Sequence, residues 1–267
     1  MSTLDLRPIS SSSAFVKPAP TVSLLKPWDF SYSPSPDGKD INLLVMCHGL
    51  GDNKVSFMRL AKQINLPLTA VLSLSAPDVI PLMDHPSFSW YQTFDPMFNA
   101  LPLSSQDPTK HLSKLRNLLE TLTSQEIGWK LEDIHLFGWG QGGTMALELG
   151  LDIGKSSLKA WRGEDEKRLG SIVSICAPLL SHPNDSLNIA TPVLYFTRQS
   201  PQSAVYRNHL SALKKAFKQV ETVQGGGVGE DMPRGREEWW GVMKFWGQVL
   251  GKDDRWKGEG ETYEVVR

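Results

Sequence analysis

The sequence predicts an α/β domain with a mostly parallel central sheet flanked by helices. Three observations lead there. Short apolar runs of strand length alternate with amphipathic segments at least four times, the pattern of parallel strands joined by right-handed crossovers. The first run, Ile41 to Cys47, is apolar throughout except Asn42, as a strand buried on both faces requires. The stretch 134–152 then goes from an apolar run, Ile134 to Phe137, through the glycine cluster Gly138-Trp139-Gly140-Gln141-Gly142-Gly143 into helix formers, Thr144 to Leu151. That is a strand, a very tight turn and a helix.

Residues 1–40 are rich in Ser and Pro, which disfavours regular structure and predicts a partly mobile arm; Trp28, Phe30 and Tyr32 are candidates to pin its second half. The domain proper is expected over 41–250. After the strand Ile41 to Cys47 comes a loop, His48-Gly49-Leu50-Gly51-Asp52, at the strand's carboxyl end, where open α/β sheets carry ligand sites. Val55, Met58, Leu60, Ala61 and Ile64 mark a helix, and Ala70 to Leu74 a second buried strand. A long loop from Ala76 holds Ser89-Trp90-Tyr91. Asp107-Pro108 starts a helix whose leucines, 112, 115, 118, 119 and 122, recur at three- and four-residue spacing. Beyond the tight turn lie a charged excursion over 153–168, strands at Gly170 to Cys176 and Pro192 to Thr197, and a helix marked by Tyr206, Leu210, Leu213 and Phe217. A strand at Gln219 to Val223, a glycine loop at 225–229 and a helix through Trp239, Trp246 and Leu250 close the domain. Residues 251–267 read as a polar tail.

Composition narrows the function. Lys plus Arg is 28 and Asp plus Glu 29 over 267 residues, so no basic excess points to nucleic acid or to an anionic membrane surface. No window holds the roughly 18 apolar residues that span a bilayer. Two cysteines, Cys47 and Cys176, sit in apolar runs; one disulfide is possible, but a reducing compartment is the simpler expectation. With no convincing secretory signal, a soluble cytoplasmic protein is expected. Zinc spacing, phosphate loops and internal repeats are missing from the sequence.

The tight turn has the layout of the nucleophile elbow, G-x-S-x-G, which holds a serine above the sheet of α/β-hydrolases. Three further segments resemble one branch of that fold, the acyl-protein thioesterases and carboxylesterases: the His48–Asp52 loop, Ser75-Ala76-Pro77 and Ser89-Trp90-Tyr91. Gly138-Trp139-Gly140-Gln141-Gly142-Gly143 matches that branch's "GFSQGG" except at the serine, where Gly140 stands. The likeness runs from about residue 41 to 250. It implies an α/β-hydrolase fold in which the backbone N–H groups of Leu50 and Gln141 form an oxyanion hole, worth roughly 3 kcal/mol per donor.

The same resemblance expects an acid after the strand Pro192 to Thr197 and a histidine between the last strand and the last helix. Arg198 to Ser203 contains no carboxylate, and Gln224 to Arg234 no histidine. Nucleophile, acid and base are all vacant. Substitutes are few. Cys176 and His48 would flank the Gly140 strand from opposite sides, roughly 10 Å apart, too far to pair; Cys176 then reads as core and His48 as a loop brace. Glu230 and Asp231 read as solvated loop charges, Thr144 as helix packing, and His209 lies within a helix. Trp90 and Tyr91 either line the pocket mouth or simply pack.

The expected binding residues are His48, Gly49, Leu50, Gly51, Asp52, Trp90, Gly140, Gln141 and Gly142, with no catalytic residue, metal or cofactor. The function expected is a catalytically silent relative that binds an acyl or ester-like ligand or a protein partner. Its rivals are a hydrolase using an unusual nucleophile or an activated water, and an interaction protein with a collapsed pocket. An imidazole beside a hydroxyl or thiol at the cavity mouth would contradict silence.

Overall fold

The structure, a computed structural model, describes residues 5–8, 16–159, 168–252 and 263–266. Its strands are β1 (Asp5–Pro8), β2 (Phe30–Ser33), β3 (Asn42–Cys47), β4 (Thr69–Leu74), β5 (Asp78–Val79), β6 (Phe88–Ser89), β7 (Ile134–Trp139), β8 (Ser171–Ile175), β9 (Val193–Thr197), β10 (Val220–Gln224) and β11 (Tyr263–Val266). The helices are α1 (Lys54–Ile64), α2 (Leu112–Thr123), α3 (Gln141–Lys159), α4 (Ala204–Ala216) and α5 (Gly235–Val249). Among the described residues seven strands form one sheet in the order β10-β9-β8-β7-β3-β4-β2, parallel except for β2. This is the α/β-hydrolase architecture the sequence predicts.

Strand alternation divides the core. Leu43 and Val45 of β3 point to one layer, packed with Leu115 and Leu119 of α2, Met145 and Leu149 of α3 and Leu213 of α4. Leu44 and Met46 point to the other, with Phe57 and Ala61 of α1 and Val242, Phe245 and Trp246 of α5. Both faces of β3 are covered, so every one of its side chains is buried, and a continuous apolar run follows.

Two predicted boundaries move. The sheet does not begin at residue 41: β2 pairs antiparallel with β4, Phe30 opposite Leu74, and Leu25 and Trp28 are buried in the core. Burial of those side chains, with Ser75 Oγ donating to Asp29 at 2.8 Å, offsets the poor local propensity of the Ser/Pro-rich segment. The terminal segments also hold strands, since β1 pairs antiparallel with β11. The charged excursion begins later than 153, because α3 continues to Lys159 with Asp152 paired to Arg116 of α2 at 3.0 Å. Residues 160–167, the rest of that excursion, lie outside the described residues. Asp107 caps the turn before α2, accepting from Thr109 N at 2.8 Å. Both cysteines are free thiols.

Candidate functional site

At the end of β7 the chain reverses within one residue. Gly140 has φ +52°, its N–H donates to Ile175 O at 3.1 Å, and its carbonyl accepts from Thr144 N at 3.1 Å. That φ disfavours any residue with a side chain. Space is not limiting, however: a Cβ at Gly140 would find only Gly49 Cα, 4.0 Å away. Gly142 is the opposite case. A Cβ there would lie 2.2 Å from Cys47 O, so the first turn of α3 can rest on the end of β3 only if residue 142 is glycine.

The turn faces a cavity of about 440 Å³. Gly49, Leu50, Gly140 and Gln141 line it, with Tyr91, Trp139, Cys176 and Tyr195. Gln141 opens α3, so its N–H is one of those that no carbonyl of the same helix can satisfy. The remaining expected residues stand behind this surface. His48 is fully buried: its Nδ1 bonds Gly49 O at 2.6 Å and its Nε2 accepts from Ala76 N at 2.9 Å. That pattern puts the proton on Nδ1, and burial lowers the imidazole's pKa, so both ring nitrogens brace the loop and neither is available as a base. Trp90, also buried, donates from Nε1 to His48 O at 2.8 Å. Gly51 N bonds Phe88 O at 2.9 Å, and the Asp52 carboxylate accepts from Asn53 N at 2.8 Å ahead of α1. Of the nine residues, four reach the cavity and five hold its frame.

Residues 33–160 match the phospholipase/carboxylesterase family. An uncharacterised hydrolase of Mycosarcoma maydis is 34% identical over 240 residues, which is 88% of this chain and 87% of that protein. The chain belongs to the phospholipase/carboxylesterase family of α/β-hydrolases. An uncharacterised hydrolase of Schizosaccharomyces pombe is 30% identical over 213 residues, 76% of this chain and 82% of its own length. Among solved structures, esterase PE8 superposes with a TM-score of 0.64 at 20% identity, covering 84% of this chain and 99% of that one. Acyl-protein thioesterase 2 of Zea mays gives 0.58 at 17% identity with the same coverage. At these identities the two likenesses concern the fold.

In this member of the phospholipase/carboxylesterase family, Arg198 follows β9, where the resemblance expects the acid. Its buried guanidinium donates to both carboxylate oxygens of Glu238 on α5, at 2.8 and 2.7 Å. It also donates to the carbonyls of Asp231 at 3.3 Å, Met232 at 2.8 Å and Gly226. The Arg198 hydrogen bonds hold the Glu238 carboxyl down at about 2. The loop expected to carry the base is thus fastened by its own backbone, and Trp139 Nε1 adds a bond to Glu230 O at 2.5 Å. Asp231 forms an exposed pair with Arg234.

One expectation is corrected. The cavity does contain an imidazole beside a hydroxyl: His209 Nδ1 lies 3.2 Å from Tyr195 Oη, and both residues line the wall. This is the arrangement expected to contradict silence, so silence now rests on the hydroxyl being a phenol that stays protonated at neutral pH and is no serine-like nucleophile. The crossover from β9 brings α4 back along the sheet, which turns His209 to the cavity although it precedes the last strand in sequence. The apolar spacing of α4 puts His209 on its inward stripe, four residues before the buried Leu213 and seven before Ala216, but only the β9–α4 connection shows that this end of the stripe meets the cavity. Burial, then the neighbouring His182, lowers the His209 pKa, and burial raises the Tyr195 phenol to about 12. At neutral pH the pair is an uncharged imidazole and an un-ionised phenol joined by one hydrogen bond. Cys176, at φ +52°, also lines the cavity; its thiol donates to Asp231 O at 3.6 Å, and burial raises it to about 11, so it is not a thiolate. Among the described residues no three His, Cys, Asp or Glu side chains are grouped to hold a metal ion, and no helix is long and apolar enough to cross a membrane.

Proposed function

We propose that this family member holds an acyl or ester-like ligand in the cavity at the elbow and does not perform the serine acyl-enzyme reaction of its fold. The observation that carries the proposal is the open turn: Gly140 faces a cavity of about 440 Å³ with nothing to attack from. Arg198, which stands where the acid is expected and is committed to Glu238, supports it further, as does a loop 224–234 without a histidine. The cavity's size counts against an interaction protein with a filled pocket. The N–H of Gln141 at the start of α3, with Leu50 beside it on the cavity wall, suits the carbonyl oxygen of an ester or thioester. The test is turnover of p-nitrophenyl esters and acyl thioesters at high protein concentration. No release above the buffer rate is expected, and saturable release would overturn the proposal.

A second function has one observation in its favour, the Tyr195–His209 pair, together with the names of the relatives as hydrolases. In it His209 takes a proton from a water or from Tyr195, and the N–H of Gln141 at the start of α3 stabilises the oxyanion. Its signature is slow turnover abolished by His209→Gln. Wild-type rates retained by that variant contradict it.

A further inference from the structure

A second cavity, of about 470 Å³, adjoins the first and shares Leu103, Gln106, Pro178 and His209 with it. The two differ in chemistry. The first presents Leu50, Phe94, Leu101, Trp139 and Val205 around Gly140. The second sets Ser104, Asp107, Ser181 and His182 beside Leu179 and Leu180, which makes it the more polar of the two in proportion. Neither wall contains a lysine or arginine among the described residues. The carboxylates on the walls are Glu230 in the first cavity and Asp107 in the second. The nearby guanidinium, Arg198, is committed to Glu238 and to backbone carbonyls.

Resting on the acyl-ligand reading, we propose that the two cavities form one bipartite site for a neutral acyl ester of a polyhydroxyl alcohol. The chain lies along the apolar wall, the ester carbonyl sits at the Gly140 turn, and the hydroxyl-bearing head lies in the polar cavity. The helix terminus at Gln141 offers about half a positive charge, enough for a carbonyl oxygen. A full carboxylate there meets Glu230 in the same space without a counter-cation, and the phosphates of an acyl coenzyme meet Asp107. Depression of the His209 pKa keeps that shared wall uncharged at neutral pH. Hydroxyls, by contrast, find both donors and acceptors on Ser104, Gln106 and His182. The ligand is therefore chosen by charge as well as by its chain.

The experiment is a titration of intrinsic tryptophan fluorescence, with Trp139 in the wall as reporter, below the critical micelle concentration of each probe. The probes share one acyl chain: a glycerol monoester, the ethyl ester, the free carboxylate and the acyl-coenzyme A. The glycerol ester is expected to bind at least about tenfold more tightly than either anion. Ser104 is exposed, so Ser104→Trp narrows the polar cavity without disturbing the core. That variant is expected to weaken the glycerol ester about tenfold and leave the ethyl ester unchanged. Equal or tighter binding of an anion, or equal weakening of both esters by Ser104→Trp, overturns this inference while acyl binding stands. Failure of all four probes to bind overturns the acyl-ligand reading itself, and this inference with it.

Discussion

Arg198 faces Glu238 with its guanidinium edge-on to the carboxylate, two parallel hydrogen bonds of 2.8 and 2.7 Å joining β9 to α5 across the site. Arg198 is buried, and its remaining hydrogens serve the carbonyls of 226, 231 and 232. Removing it leaves an uncompensated carboxylate beside orphaned carbonyls. Arg198→Met is expected to lower stability by about 3 kcal/mol, read from urea unfolding, and to expose the glycine loop to protease. A change below ~0.5 kcal/mol, the level of an ordinary surface substitution, would show the pair to be incidental.

The same pair gives an acid limit. The folded Glu238 carboxyl titrates near 2, below its usual 4.5. Its contribution is complete above about 4.5 and is lost as pH falls through about 2. Arg198→Met should abolish this part of the acid profile. An unchanged acid limb between pH 4.5 and 2 would count against it.

The buried histidines act over a higher range. His135 is held down to about 4 by burial, with Arg168 adding repulsion, and the pKa values of His48 and His209 are also lowered. Unfolded histidine binds a proton below about 6.5. Stability is therefore full above 6.5 and falls between about 6.5 and 4. His135 accounts for about 2 kcal/mol of the loss at pH 5. In His135→Asn, which keeps a partner for Ser171 Oγ, the difference in urea midpoint between pH 7.5 and pH 5 should shrink accordingly.

Gln141 links the elbow to the aromatic loop: its Oε1 accepts from Trp90 N and its Nε2 donates to Tyr91 O, each at 2.9 Å. Gln141→Ala orphans two buried backbone groups. The cost expected is about 2 kcal/mol with looser ligand binding. Near-neutral stability in a thermal melt would show that water replaces the side chain.

Gly140→Ser isolates the nucleophile question. The left-handed φ costs a serine about 1 kcal/mol, and the open space around the turn accepts its side chain. The variant should fold and hydrolyse esters no faster than wild type, because residues 198–203 hold no carboxylate and 224–234 no histidine to relay its proton. A rise of about tenfold or more in p-nitrophenyl ester turnover would show a working base at the turn.

Much of this was readable in the sequence. The six buried side chains of β3, the leucine period of α2 and the glycines at 138–143 each have one local cause, so the sheet and its elbow follow from composition and spacing. The edge strand β2 was only partly readable: Trp28, Phe30 and Tyr32 do pin the Ser/Pro-rich segment to the core, but nothing local showed Phe30–Ser33 pairing with β4. His209 escaped for a related reason. Its spacing from Leu213 and Ala216 marks it as inward-facing, but that it meets the cavity depends on how α4 returns over the sheet, a tertiary fact. Arg198 stood in plain sight after β9, yet its partner lies forty residues on in α5.

The most direct test is intact-mass analysis of the purified protein after exposure to an excess of an alkyl fluorophosphonate, with a serine esterase as positive control. Unmodified protein is expected throughout, with Tyr195 and Cys176 unlabelled. A stable phosphonyl adduct, mapped to any residue lining the cavity, would contradict it.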